Sequence, residues 1–92
     1  MKYVVWSKAS LDSLEIIYNF IFENSPQNAE MVVETLLKLG DDLAKFPERN
    51  SKEPLFNDEA IRYFPKWNFK IVYRIEENRI LIINIYSTKM NW

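Results

Sequence analysis

The chain has 92 residues, 48% hydrophobic and 15% aromatic, enough for one domain that buries roughly 60 to 70% of the surface its unfolded form exposes. It contains neither cysteine nor histidine, which removes disulfides, the usual zinc sites, Ser-His-Asp triads and Cys-His pairs together. With 12 basic against 13 acidic residues the net charge is -1, and the single glycine, Gly40, excludes a phosphate-cradling loop, so no cofactor or metal is expected.

The stretch KYVVW reads as a short first strand ended by Ser7. Its apolar run is far too short for a signal peptide or a membrane span, and a cytoplasmic protein without membrane contact is expected. Ser7 is a good helix cap, and Leu11, Leu14, Tyr18, Ile21 and Phe22 follow at helical spacing, which predicts a first helix over about Lys8 to Glu23. Ser25 and Pro26 open a second helix, since proline at the first helical position forfeits no hydrogen bond. Ala29, Val32, Val33, Leu36, Leu39, Leu43 and Phe46 form its apolar stripe, and Pro47 is expected to stop it. Gly40 interrupts that pattern at a cost of about 1 kcal/mol relative to alanine, which points to a close helix contact there.

PERNSKEPLFND has turn formers and charge without periodicity and reads as a loop. EAIRYFPKW reads as a strand whose Pro65 assigns it to a sheet edge or to its own end. In NFKIVYRIEENRILIINIY, two β-branched runs flank a polar Glu76-Glu77-Asn78-Arg79 turn, which predicts a hairpin. The order β-α-α-β-β-β gives an α+β fold: a helical hairpin packed on one face of a small, mostly antiparallel four-stranded sheet, with residues 1–92 as one domain.

Strand parity places Phe69, Ile71, Tyr73 and Ile75 on the face toward the helices and Lys70, Val72 and Arg74 on the other. From Arg62 onward the basic residues are Arg62, Lys66, Lys70, Arg74, Arg79 and Lys89, against only Glu76 and Glu77, so the last third of the chain is positive. Cations on an uncovered face can simply keep it solvated and unsociable toward other sheet edges, and that reading stays open for each residue alone. Trp67 and Trp92 could stack on bases but more often cap a core or an interface. The pairs Asp41-Asp42, Asp58-Glu59 and Glu76-Glu77 diverge on helix and strand alike and read as solvated surface.

Five segments in order carry a resemblance: VVWSKASLDSLEIIYNFI, SPQNAEMVVETLLKL, LAKFPERN, IRYFPKWNFKIVYRI and ILIINIYSTK. Together they resemble the RelE/ParE superfamily of bacterial toxins from type II toxin-antitoxin systems, which act in growth inhibition and plasmid stabilisation. In the family's ribosome-dependent ribonucleases, a cluster of Lys and Arg with a terminal Tyr or His does the chemistry. Carried onto this chain, that set would be Arg62, Lys70, Tyr86 and Lys89. Lys70 stands where those relatives usually have an arginine able to grip phosphate bidentately, and IYSTKMNW lacks their paired basic residues.

These departures, with the acidic net charge, place the chain nearer the ParE-like branch, whose members act by binding DNA gyrase. On that reading Arg62, Lys70, Val72, Arg74, Tyr86 and Lys89 line a groove for the target or for a cognate antitoxin, whose acidic segments suit a cationic, apolar-walled groove. The alternatives are a ribosome-dependent endoribonuclease acting on messenger RNA and a degenerate member that only binds antitoxin. Charge reversal at Lys70 or Arg74 is expected to weaken binding and leave the fold intact.

Overall fold

The computed structural model describes residues 2–88. Its elements are β1 (Tyr3–Trp6), α1 (Lys8–Phe22), α2 (Pro26–Asp41), β2 (Ile61–Lys66), β3 (Phe69–Ile75) and β4 (Arg79–Ser87), with short 3-10 turns at Asp42–Ala44 and Pro47–Arg49. The strands form one sheet in the order β1-β4-β3-β2, with β1 parallel to β4 and the other neighbours antiparallel. Both helices pack on one face, as the element order requires, and β2 with its Pro65 is the outer strand opposite β1. No helix among the described residues is long and apolar enough to cross a membrane.

The caps behave as their chemistry dictates: Ser7 Oγ accepts from the Ser10 N–H, and Ser25 Oγ from the Asn28 N–H. On α1 the buried stripe is Ser10, Ser13, Leu14 and Ile17, with Ile21 packed beside it. Leu11 and Phe22, expected in that stripe, are instead about half exposed. The displaced register follows from the two small serines, which allow close approach to neighbouring backbone and strand. Ser10 Oγ donates to Ser7 O at 2.7 Å, and Ser13 Oγ donates to Asn84 Oδ1 on β4.

Helix α2 stops at Asp41, short of the expected Pro47, and tightens into the first 3-10 turn. Leu43 stays buried, but Phe46 turns outward with 63% exposure, its ring covered by the Arg49 guanidinium at 4.4 Å. Gly40 marks a close contact with the strands β1 and β4, where a helix contact was expected. A Cβ there would overlap the Trp6 ring and lie 3.0 Å from Ile82 Cδ1. The Trp6 indole, free to lie across the helix, donates to Asp41 Oδ1 at 2.9 Å.

The hairpin has the predicted parity on β3, with Phe69, Ile71, Tyr73 and Ile75 all in or against the helix-side core. On β4 the pairing steps from Tyr73↔Ile82 to Val72↔Asn84, so Ile83 is an extra residue and the strand bulges. That step is why Ile80, Ile82 and then Ile85 are all fully buried, with Asn84 between the last two reaching Ser13 of α1 through its side-chain oxygen.

Candidate partner-binding face

Cross-strand register defines the face away from the helices. Lys70, Val72 and Arg74 of β3 lie beside Pro65, Tyr63 and Ile61 of β2, and Lys70 and Arg74 beside Tyr86 and Leu81 of β4. This face is only half open. The segment 50–58, expected as a plain loop, pairs with the outer edge of β2: Tyr63 N–H donates to Ser51 O at 3.0 Å, and Glu53 N–H to Ile61 O at 2.9 Å. Between them Lys52 and Arg62 form a bridge, which removes the bare edge β2 would otherwise present. Ile61 and Val72 are 2% and 0% exposed, so Val72 is floor and not contact surface.

Two ion pairs fasten this strap. Glu53 is 1% exposed, and Lys70 Nζ lies 2.8 Å from its Oε2 and 3.1 Å from its Oε1. Only the Oε1 approach has hydrogen-bond geometry, so Oε2 is met as a charge. The ammonium also sits 4.4 Å from the centre of the Tyr63 ring, a cation-π contact. The second pair, Arg74 with Asp58, is looser at 3.6 Å, and its side chains are 45% and 44% exposed. A pair of that kind contributes about 0 to 1 kcal/mol.

Lys70 is therefore not a spare groove cation, and the expectation that its charge reversal spares the fold is revised. A glutamate there would face buried Glu53 with no cation between them. The parity assignment itself holds.

Arg62 lies on the opposite face from Lys70. It pairs with Tyr73, so its side chain shares the helix side, where Nη1 donates to Asn50 O at 2.7 Å and to Glu48 O at 3.4 Å. The Tyr73 phenol beside it is fully buried, donates to Pro47 O at 2.6 Å and accepts from Asn50 Nδ2 at 2.9 Å. Burial pushes its pKa above the usual phenol value, against the lowering effects of the Asn50 hydrogen bond and the Arg62 charge. The Arg62-Tyr73-Asn50 cluster pins the Pro47–Arg49 turn to the sheet.

Tyr86 pairs with Lys70 and shares its face, half-buried. Lys89 and Trp92 lie outside the described residues. Trp67 is in the β2–β3 turn with φ 52°, 50% exposed, and Lys66 Nζ lies 4.7 Å from the centre of its ring. Glu53, Asp58, Asn50 and Tyr63, which organise the two faces, carry no motif in the sequence. A buried glutamate in a charged loop is marked only by the partner that folding brings to it.

A phosphodiester site needs unpaired cations converging with a proton donor and acceptor. Here Lys70 and Arg74 each hold a carboxylate, Arg62 is turned away, and the tyrosines beside Lys70 are Tyr86, its cross-strand partner, and Tyr63, whose ring it overlies. What the face does offer is a partly exposed band of Val5, Leu81 and Tyr86 with Tyr3 at its margin, suited to a macromolecular surface.

Residues 4–92 match the family model described as the ParE toxin of the type II toxin-antitoxin system parDE. No curated protein matches the chain. Among solved structures, a chain of the chromosomal ParDE toxin-antitoxin system from P. aeruginosa superposes with TM-score 0.81 at 18% identity, covering 97% of this chain and 98% of that one. A chain of the RelBE2 toxin-antitoxin complex from Mycobacterium tuberculosis gives TM-score 0.64 at 15% identity, covering 95% and 99%. At such identities these likenesses establish the shared fold.

Proposed function

Because this chain belongs to the ParE toxin family of type II toxin-antitoxin systems, we propose that it inhibits growth in the cytoplasm by binding DNA gyrase and is neutralised by a cognate antitoxin. The observation that carries the choice of a binding mechanism is the engagement of Lys70 by buried Glu53. Cleavage of RNA needs charge free to stabilise the phosphorane, and here that charge is held by an internal carboxylate. Arg62 on the far face and Arg74 on Asp58 favour the same reading. The antitoxin partner is supported by the family and by structural neighbours that come from toxin-antitoxin systems.

The test is a supercoiling assay with purified gyrase and relaxed plasmid. Stoichiometric protein should inhibit supercoiling, and addition of the antitoxin encoded beside it should restore the reaction. Full gyrase activity at saturating protein, in a preparation that still binds its antitoxin, would reject gyrase as the target.

A further inference from the structure

We infer that Lys70, Tyr63 and Glu53 form a self-filled anion seat, in which Glu53 is the residue that keeps the open sheet face from binding phosphate polyanions. The seat is built: an ammonium fixed over an aromatic ring, above a floor of Ile61 and Val72 that water does not reach. Its occupant comes from the strap and is 99% buried, and one of its oxygens has no hydrogen-bond donor. A carboxylate is not buried this way for its own stability, since losing its hydration offsets much of what the ion pair returns. Its effect is on what else can bind. Lys70 is 28% exposed, enough to meet a phosphate, but its charge is cancelled at 2.8 Å.

On the same face as the seat, Arg74 and Arg79 add positive charge, and Asp58 and Glu76 answer them as Glu53 answers Lys70. The pattern neutralises the sheet face charge by charge, with Glu53 the only one of the three acids that is fully buried. Removing its charge and keeping its shape therefore opens one strong phosphate contact. This inference stands apart from the target reading, because its test involves neither gyrase nor antitoxin.

The experiment titrates the full chain with a short single-stranded RNA, comparing wild type, Glu53→Gln, the charge-matched exposed control Glu59→Gln, and the double variant Glu53→Gln/Lys70→Gln. Glu53→Gln should bind roughly tenfold more tightly at low salt, with a salt dependence steeper by about 0.7 in log-log slope, the signature of one added phosphate contact on a single strand. The control and the double variant should bind as wild type does. Equal gains in Glu53→Gln and Glu59→Gln, no gain in a folded Glu53→Gln, or a gain that survives loss of Lys70 would each overturn the inference. If Glu53→Gln does not fold, the wild type decides: RNA must leave the Tyr63 ring resonances unmoved, and a saturable shift there contradicts a filled seat.

Discussion

The two faces of the sheet are closed by different physics. Toward the helices, Ile17, Leu36, Ile71, Ile80, Ile82 and Ile85 are fully buried in one apolar cluster, and the polar groups at its rim are small or hydrogen-bonded. Away from them, the strap 50–58 is held by a few backbone bonds, one buried ion pair and one exposed pair. Apolar packing is not weakened by ionic screening and is hard to exchange for another partner. A strap fastened by charge is open to competition, and its strength depends on ionic conditions. The helix face thus makes the fold, and the strap face is the one whose closure responds to charge.

The largest effect belongs to the helix face. Ile17→Ala should destabilise by about 2 to 5 kcal/mol in denaturant unfolding, because the site lies between helix and sheet and cannot collapse freely. A cost below 1 kcal/mol would show that α1 packs more loosely than the core cluster implies. Next is Lys70→Gln, which strands a buried carboxylate and should cost about 1 to 3 kcal/mol, less than a fully buried pair since Lys70 keeps some solvent. Adding Glu53→Gln should recover part of that loss. A double variant no more stable than Lys70→Gln would remove the uncompensated charge as the cause.

Tyr73→Phe tests the rim of the helix face and should cost about 1 to 2 kcal/mol through the bonds to Pro47 and Asn50. It also carries a pH signature. Burial raises the phenol pKa in the folded state, so above about 10 the unfolded chain loses the proton first, and stability falls as pH rises toward the folded value. Below about 10 this contribution is fully present. The variant should show a shallower alkaline loss than wild type, and identical alkaline limbs would place the phenol in solvent.

Much of this architecture was legible in the sequence. Cap residues, proline positions and β3 parity are local signals, and they predict the helices and the inward set Phe69, Ile71, Tyr73 and Ile75. What was hidden depends on pairing across distance. Arg62 falls on the Tyr73 side because of its β2–β3 register, which rests on a turn with Trp67 in the left-handed region that no Asn-Gly signal announces. The β4 bulge at Ile83 is invisible in a run of isoleucines that would suit either parity. Glu53 and Asp58 read as solvated loop charges, and only the pairing of the strap with β2 delivers them to Lys70 and Arg74.

The smallest effect sharpens the contrast within the strap face. Asp58→Asn removes an exposed pair and should change stability by less than about 1 kcal/mol, a difference that vanishes in high salt. The Lys70→Gln loss, which reflects a buried charge, should persist there. Equal salt sensitivity of the two would mean that Glu53 is as hydrated as Asp58.

Gyrase binding and RNA cleavage are told apart by inducing the protein in cells lacking the antitoxin, with plasmid topology and primer extension on ribosome-bound messages followed in the same culture. The binding mechanism proposed above gives loss of negative supercoiling with messages intact. Codon-phased cuts that disappear in Tyr86→Phe, with plasmid topology unchanged, would contradict it.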